Sequence, residues 1–94
     1  MNQSGLLIDG QWLSPPGRAI QEVTSPYSGD SVGRVVVAER ADVDQALGSA
    51  RAGAREWRRT PASERARIML EAARIADQRV EEIAQTISQE TGKS

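Results

Sequence analysis

Gly92-Lys93-Ser94 contains residue types that could bind phosphate. Gly-Lys-Ser ends the phosphate-binding loop, in which backbone N–H groups and a lysine hold the phosphates of a nucleotide. That loop also needs a glycine five positions before this one, and Ile87 occupies that position. A helical pattern runs into Gly92, and a glycine directly after a helix with a lysine beside it is typical of a helix C-terminus. We therefore interpret Gly92 as a helix end.

Glu81, Glu82 and Glu90 could form a carboxylate pair for general acid–base catalysis. Such a pair needs a partner base, a nucleophile or a metal ligand within reach. The chain contains no His and no Cys, so the commonest general base and the thiolate nucleophile are both absent. We interpret the three glutamates as exposed, and we predict no catalytic, cofactor-binding or metal-binding residue in this chain.

One basic cluster could hold a phosphate group or an acidic partner. Its members are Arg51, Arg55, Arg58, Arg59, Arg65 and Arg67. Acidic residues interleave with them, the formal net charge is -1, and aromatic residues make up only 3% of the chain. A nucleic-acid surface usually carries net positive charge and stacking aromatics, so we interpret the cluster as a solvated helix face. Trp57 lies on an apolar stripe and is expected to pack, and Trp12 is expected to cover the strands near it.

The composition limits the size and the environment of the protein. Ninety-four residues allow one small domain or part of a larger one, and large apolar side chains are scarce, with two Trp, one Tyr and no Phe. Residues 1–5 carry no basic region typical of a signal peptide, and the apolar run Val35–Ala38 is too short to span a membrane. We expect a soluble, cytoplasmic protein with no membrane or nucleic-acid partner. The glycosylation sequon Asn2-Gln3-Ser4 then has no significance.

The first part of the chain, residues 1–38, predicts strands and turns. Asp9-Gly10 between short apolar runs predicts a hairpin, because both residues tolerate positive φ. Further strands are predicted over Ala19–Thr24 and Ser31–Val37, and Ser25–Asp30 between them predicts a turn in which Gly29 supplies the left-handed position. We expect a small antiparallel sheet.

The second part, residues 39–94, predicts two to three amphipathic helices. Val43 begins one apolar stripe that ends at Trp57, and Ile68 begins a second, with recurrences of three and four residues. Thr60 before Pro61 predicts the N-cap of the second helix. A change of phase near Gln78-Arg79 predicts a break, and Gly92 ends the pattern. The fold class predicted is an α+β segment.

Five short motifs, taken in order, resemble the opening of the NAD(P)-dependent aldehyde dehydrogenase superfamily. They are Ile8-Asp9-Gly10-Gln11-Trp12, the stretch 25–33, Ala41-Asp42-Val43-Asp44-Gln45-Ala46, Trp57 with Thr60-Pro61 and Glu64-Arg65, and Glu90-Thr91-Gly92-Lys93. Ser25 stands where the family usually has Asn, and Asp30 where it has Glu; both keep the turn chemistry. The resemblance rests on the order of the five motifs, which together cover nearly the whole chain, and not on any one motif.

The resemblance implies that residues 1–94 are an incomplete N-terminal segment of a larger α/β enzyme. The parent would oxidise an aldehyde to a carboxylic acid with NAD or NADP, and would be a homo-oligomer. The family's nucleophilic cysteine and glutamate base would lie in the rest of the subunit, so the segment alone is expected to bind no cofactor and to be inactive. The family also implies a monovalent-cation site that uses backbone carbonyls near Val23-Thr24. The alternative is a non-enzymatic helical interaction or oligomerisation module from a truncated gene product, motivated by the apolar stripes.

Overall fold

The computed structural model describes residues 3–93. Ser94 of the Gly-Lys-Ser sequence and Asn2 of the sequon lie outside the described residues. The elements, in chain order, are β1 (Gln3–Ser4), β2 (Leu6–Ile8), β3 (Gln11–Leu13), β4 (Ile20–Thr24), β5 (Ser31–Val36), α1 (Arg40–Arg59), α2 (Ala62–Gln78) and α3 (Val80–Thr91). Short strands followed by three helices make an α+β segment, as the sequence predicted.

The predicted hairpin is formed by β2 and β3. These strands pair antiparallel from Leu6 opposite Leu13 to Ile8 opposite Gln11. Asp9 and Gly10 connect them with φ of 53° and 73°. Two positive φ values in a two-residue loop match the twist of the flanking strands, which explains why Asp-Gly occurs here.

A second sheet has the strand order β1-β5-β4. β4 and β5 pair antiparallel, and the turn between them closes through the Ser25 carbonyl, which accepts the Gly29 N–H at 2.8 Å, with Gly29 at φ 77°. β1 pairs parallel to β5. The sequence predicted only antiparallel pairing. The two polar residues before Gly5 carry no strand signal, so β1 forms only because β5 has an edge with which it can pair.

The helices begin and end close to the predicted positions, with one correction. Thr60 does not cap α2, because Pro61 takes the N-cap position. The Thr60 hydroxyl instead donates to the Glu56 carbonyl at 2.9 Å at the end of α1. A residue before proline avoids the helical region, and its hydroxyl can bond backward along the preceding helix. The predicted break lies at Arg79, and Gly92 ends α3 in the left-handed conformation, with φ 76°.

The described residues form a thin, open layer. Only two apolar side chains within residues 3–93 are buried, those of Ile8 and Val36. The layer measures 47 × 34 × 15 Å and has a radius of gyration of 16.8 Å, whereas a compact domain of this length has about 12 Å. Its accessible surface is 7649 Å², about 2300 Å² more than expected for a compact monomer of this mass. Most of the large apolar side chains in residues 3–93 therefore remain accessible to solvent.

Candidate functional site

The best-defined polar cluster joins the loop before β4 to the start of α1. One guanidinium nitrogen of Arg18 donates to the Glu39 carboxylate at 2.9 Å, and the other donates to the Asp42 carboxylate at 3.1 Å. Asp42 also accepts the backbone N–H of Glu39 at 2.8 Å, and it is only 7% exposed. A carboxylate in the first turn satisfies a free helix N–H and suits the helix dipole.

The charge states of this cluster follow from its hydrogen bonds. The backbone N–H of Glu39 lowers the pKa of the Asp42 carboxyl, and Arg18 lowers it further. The bond to Asp42 raises the pKa of Arg18. The pair is therefore fully ionised near neutral pH. A group held in one charge state cannot exchange protons with a substrate, so we assign this cluster a structural role.

A groove of about 250 Å³ lies between the sheet and α3. Val23, Val32 and Gly33 line it from the strands, and Thr86 and Glu90 line it from α3. The carbonyls predicted to bind a monovalent cation, at Val23-Thr24, lie where the pairing of β4 with β5 shifts register. Residues 3–93 contain no group of three His, Cys, Asp or Glu side chains suited to a metal ion. Because the predicted cation site uses backbone carbonyls, this absence does not test it, and the site stays a prediction.

The three glutamates considered for acid–base catalysis have separate environments. Glu82 pairs with Arg79 at 2.5 Å, and this bond lowers the pKa of its carboxyl. Glu90 lines the groove beside the sheet, whereas Glu81 lines a different depression on α3. A pair that shares a proton needs two carboxylates in contact, and these three glutamates lie in separate environments on α3.

The basic residues and the tryptophans are mostly exposed. Within the predicted basic cluster, Arg67 pairs with Glu64. The four members of the cluster on α1 are exposed: Arg51, Arg55, Arg58 and Arg59. Trp57 is 38% exposed and Trp12 is 69% exposed, so their expected packing is only partial in this layer. At the Gly-Lys-Ser sequence, Gly92 N–H donates to the Ser88 carbonyl at 2.9 Å. That bond ends a helix and leaves this N–H unavailable to a phosphate.

An open apolar groove of about 490 Å³ runs between the β2–β3 hairpin and α1. Leu6 and Leu7 line it from the hairpin, and Val43, Ala46 and Leu47 line it from α1. Sequence reasoning found the stripe on α1 but not the groove, because nothing in the sequence shows that the hairpin packs against that stripe. The groove has the apolar lining of a binding site, with Asp42 its one charged residue.

The helices add a larger uncovered apolar surface. No residue of α2 or α3 is buried. Large side chains that remain exposed include Ile68, Met69, Leu70, Val80 and Ile87. None of the helices in residues 3–93 is both long enough and apolar enough to cross a lipid bilayer. Exposed apolar patches are typical of surfaces that contact protein, membrane or ligand.

The sequence was compared with known proteins. The family model described as "Aldehyde dehydrogenase family" matches residues 12–94. Malonate-semialdehyde dehydrogenase 1 of Geobacillus kaustophilus is 37% identical over 87 residues, which are 93% of this chain and 18% of that protein. Malonate-semialdehyde dehydrogenase 1 of Bacillus licheniformis and malonate-semialdehyde dehydrogenase 2 of Geobacillus thermodenitrificans are each 31% identical, over 93% and 92% of this chain.

The matches cover most of this chain but only a small part of each relative. The chain spans 18% of the length of the curated relatives it matches, so most of each relative has no counterpart here. The family match, by contrast, extends from β3 to the end of α3 and so includes all three helices. The chain belongs to the aldehyde dehydrogenase family.

Proposed function

We propose that this chain is the N-terminal part of an NAD(P)-dependent aldehyde dehydrogenase that oxidises an aldehyde to a carboxylic acid. The observation that carries the proposal is the family match over residues 12–94, combined with relatives of which the chain spans 18%. The open layer supports it, since a layer 15 Å thick with two buried apolar side chains needs further chain to pack against.

The segment itself contributes structure to the parent. NAD(P) accepts hydride when bound, but a dinucleotide site needs a glycine-rich turn between a strand and a helix. The one strand-to-helix connection among the described residues, 37–39, is Val-Ala-Glu and contains no glycine. The segment does not fit the cofactor, so we assign cofactor binding to the rest of the subunit. We assign the thiolate to the rest as well, since this chain has no Cys.

The roles of the described residues follow from their contacts. The Arg18–Asp42 pair fixes α1 against the loop before β4, and so sets the direction of the helix that follows the sheet. The apolar sides of α1, α2 and α3 then rest on the remaining subunit. By the family resemblance, we further propose that the parent is a cytoplasmic homo-oligomer, which sedimentation and cell fractionation would check.

A chimera tests the proposal. Residues 1–94 replace the matching segment of the Geobacillus kaustophilus enzyme, and NAD(P)H formation is followed with malonate semialdehyde, the aldehyde in that relative's name. We expect an assembled, active chimera, and no aldehyde-dependent NAD(P)H formation by residues 1–94 alone. Turnover by the isolated chain, or a chimera that does not assemble, would count against the proposal.

The second candidate function is a non-enzymatic interaction module. The uncovered apolar sides of the helices favour it, since a separate partner could bury them as well as the parent chain could. The discriminating measurement is binding of isolated residues 1–94 to the intact Geobacillus kaustophilus enzyme. Tight binding together with an inactive chimera would favour the module, whereas no binding together with an active chimera favours the dehydrogenase segment.

A further inference from the structure

α2 has almost no support within the described residues. It spans Ala62–Gln78, buries none of its side chains, and has its principal contacts with α3. A lone helix of this length is marginal in water, because most helical stability in proteins comes from packing an apolar side against a neighbour. The stability of α2 therefore has to come from a surface outside residues 3–93.

The apolar side of α2 is wider than one contact needs. On a helical wheel, with about 100° per residue, this side extends from Ile75 and Ile68 past Met69 to Leu70. It covers roughly 220° of the circumference. The positions between them are mostly alanines. A helix that packs on one side needs an apolar stripe about 100° wide. Leu70 and Ile75 lie about 140° apart around the helix, so one flat neighbouring surface could not cover both, and both are exposed here, at 71% and 42%.

The polar residues of α2 occupy the remaining strip. Glu64 pairs with Arg67, and Glu71 pairs with Arg74, each three residues apart. Their side chains are 44–66% exposed, as expected of a strip that faces solvent. Such pairs stabilise a helix in water and do not require a partner. This strip is therefore the part of α2 that stays uncovered.

Two charged residues interrupt the apolar side. Arg65 lies near its middle and is partly buried, and Asp77 lies beside Leu70 on the helix wheel. A guanidinium that is covered without an acceptor costs free energy, so the covering surface has to present a carboxylate or carbonyl oxygen to Arg65. The cover is thus apolar, with an acceptor at Arg65 and, on the Leu70 side, a donor to the Asp77 carboxylate.

We propose that the remaining chain of the aldehyde dehydrogenase subunit covers α2 on two sides, one over Ile68 and Ile75 and the other over Leu70, and leaves only the strip of paired charges in water. This inference rests on the proposed function. The excess accessible surface of about 2300 Å² exceeds the area each partner buries in a standard interface. The relatives' remaining length is several times that of this chain, enough to supply both surfaces.

Thiol labelling tests the proposal directly, because the chain has no native Cys. Leu70→Cys and Ile75→Cys report the two sides, and Gln78→Cys on the polar strip is the matched control. Each variant is made in isolated residues 1–94 and in the chimera, and labelling by N-ethylmaleimide is followed on individual peptides by mass spectrometry. We expect labelling of both reporters to slow by about tenfold or more in the chimera, since a covered thiol reacts only through local opening. Gln78→Cys should keep its rate.

The outcomes separate this inference from the proposed function. If only Ile75→Cys is protected in an active chimera, the cover is one-sided; the inference is wrong and the proposed function stands. If neither reporter is protected in an active chimera, α2 is not a covered helix and the inference is again wrong. Protection of Leu70→Cys in the isolated chain that grows with its concentration would assign that side to a second copy and overturn the inference. A chimera that does not assemble removes the proposed function, and the inference with it.

Discussion

The Arg18 guanidinium donates to the Asp42 carboxylate at 3.1 Å and joins two parts of the chain that are 24 residues apart. The same carboxylate accepts the Glu39 N–H at the start of α1. One acidic side chain therefore both caps a helix and binds it to the strands. Since few apolar contacts hold α1 in place, this pair fixes the angle at which the helices leave the sheet.

Asp42→Asn should loosen the start of α1. The amide can still accept a hydrogen bond from Glu39, but it no longer neutralises Arg18, whose Nε is buried and has no hydrogen-bond partner among the described residues. We expect amide hydrogen exchange at Glu39, Asp42 and Val43 to become several-fold faster, because the Glu39 N–H bonds to the Asp42 carboxylate, the other two bond to the Glu39 carbonyl, and such amides exchange through local opening. Asp44→Asn, at an exposed position two residues further along α1, is the matched control and should have a smaller effect. Equal effects would remove the special role of the pair.

Acid should weaken the same junction. The folded pKa of Asp42 lies below its ordinary value, so the carboxylate stabilises the folded form fully above about pH 4, the ordinary range of Asp. That contribution is lost as the pH falls from there through the lowered folded pKa. We expect hydrogen-exchange protection of the first turn of α1, measured after equilibration at a series of pH values and corrected for the intrinsic rate, to fall below about pH 4. In Asp42→Asn this fall should be much reduced; an unchanged profile would assign the acid sensitivity to other carboxylates.

Much of the fold could be predicted because its signals are local. Asp9-Gly10 and Gly29 hold positive φ, and the phase change near Arg79 ends one helix and begins the next. The predictions that failed depended on tertiary contacts or on the identity of the next residue in the chain. Thr60 looked like an N-cap, but α2 begins one residue later, after Pro61, and the Thr60 hydroxyl donates backward to the Glu56 carbonyl. The Arg18–Asp42 pair and the parallel β1 depend on residues distant in sequence, which neither periodicity nor turn chemistry reports.

Gly5→Ala and Gly48→Ala should have opposite effects. A Cβ at Gly5 would clash with the backbone oxygen of Leu13, and backbone cannot move aside as a side chain can. A Cβ at Gly48, inside α1, would meet no heavy atom within 4 Å. We expect Gly5→Ala to reduce exchange protection in the hairpin. Gly48→Ala should stabilise α1 by about 1 kcal/mol, the difference in helix propensity, and raise helicity by circular dichroism. If Gly48→Ala destabilised the chimera but not isolated residues 1–94, another part of the subunit would have to approach this glycine closely.

Ile8→Ala should destabilise the β2–β3 hairpin more than Leu7→Ala, although the two residues are adjacent in β2. Ile8 is 7% exposed, whereas Leu7, its neighbour in β2, is 58% exposed. Truncating a buried Ile removes packed methyl groups and leaves a cavity, at a cost of about 2–5 kcal/mol. A core with so few buried apolar side chains cannot absorb such a loss, so we expect the hairpin amides of isolated residues 1–94 to lose most of their exchange protection. Leu7→Ala should change it little in the isolated chain. In the chimera, however, Leu7→Ala should also be destabilising if the remaining subunit fills the groove that Leu7 lines. If Leu7→Ala left the stability of the chimera unchanged, that groove would be open to solvent in the full subunit.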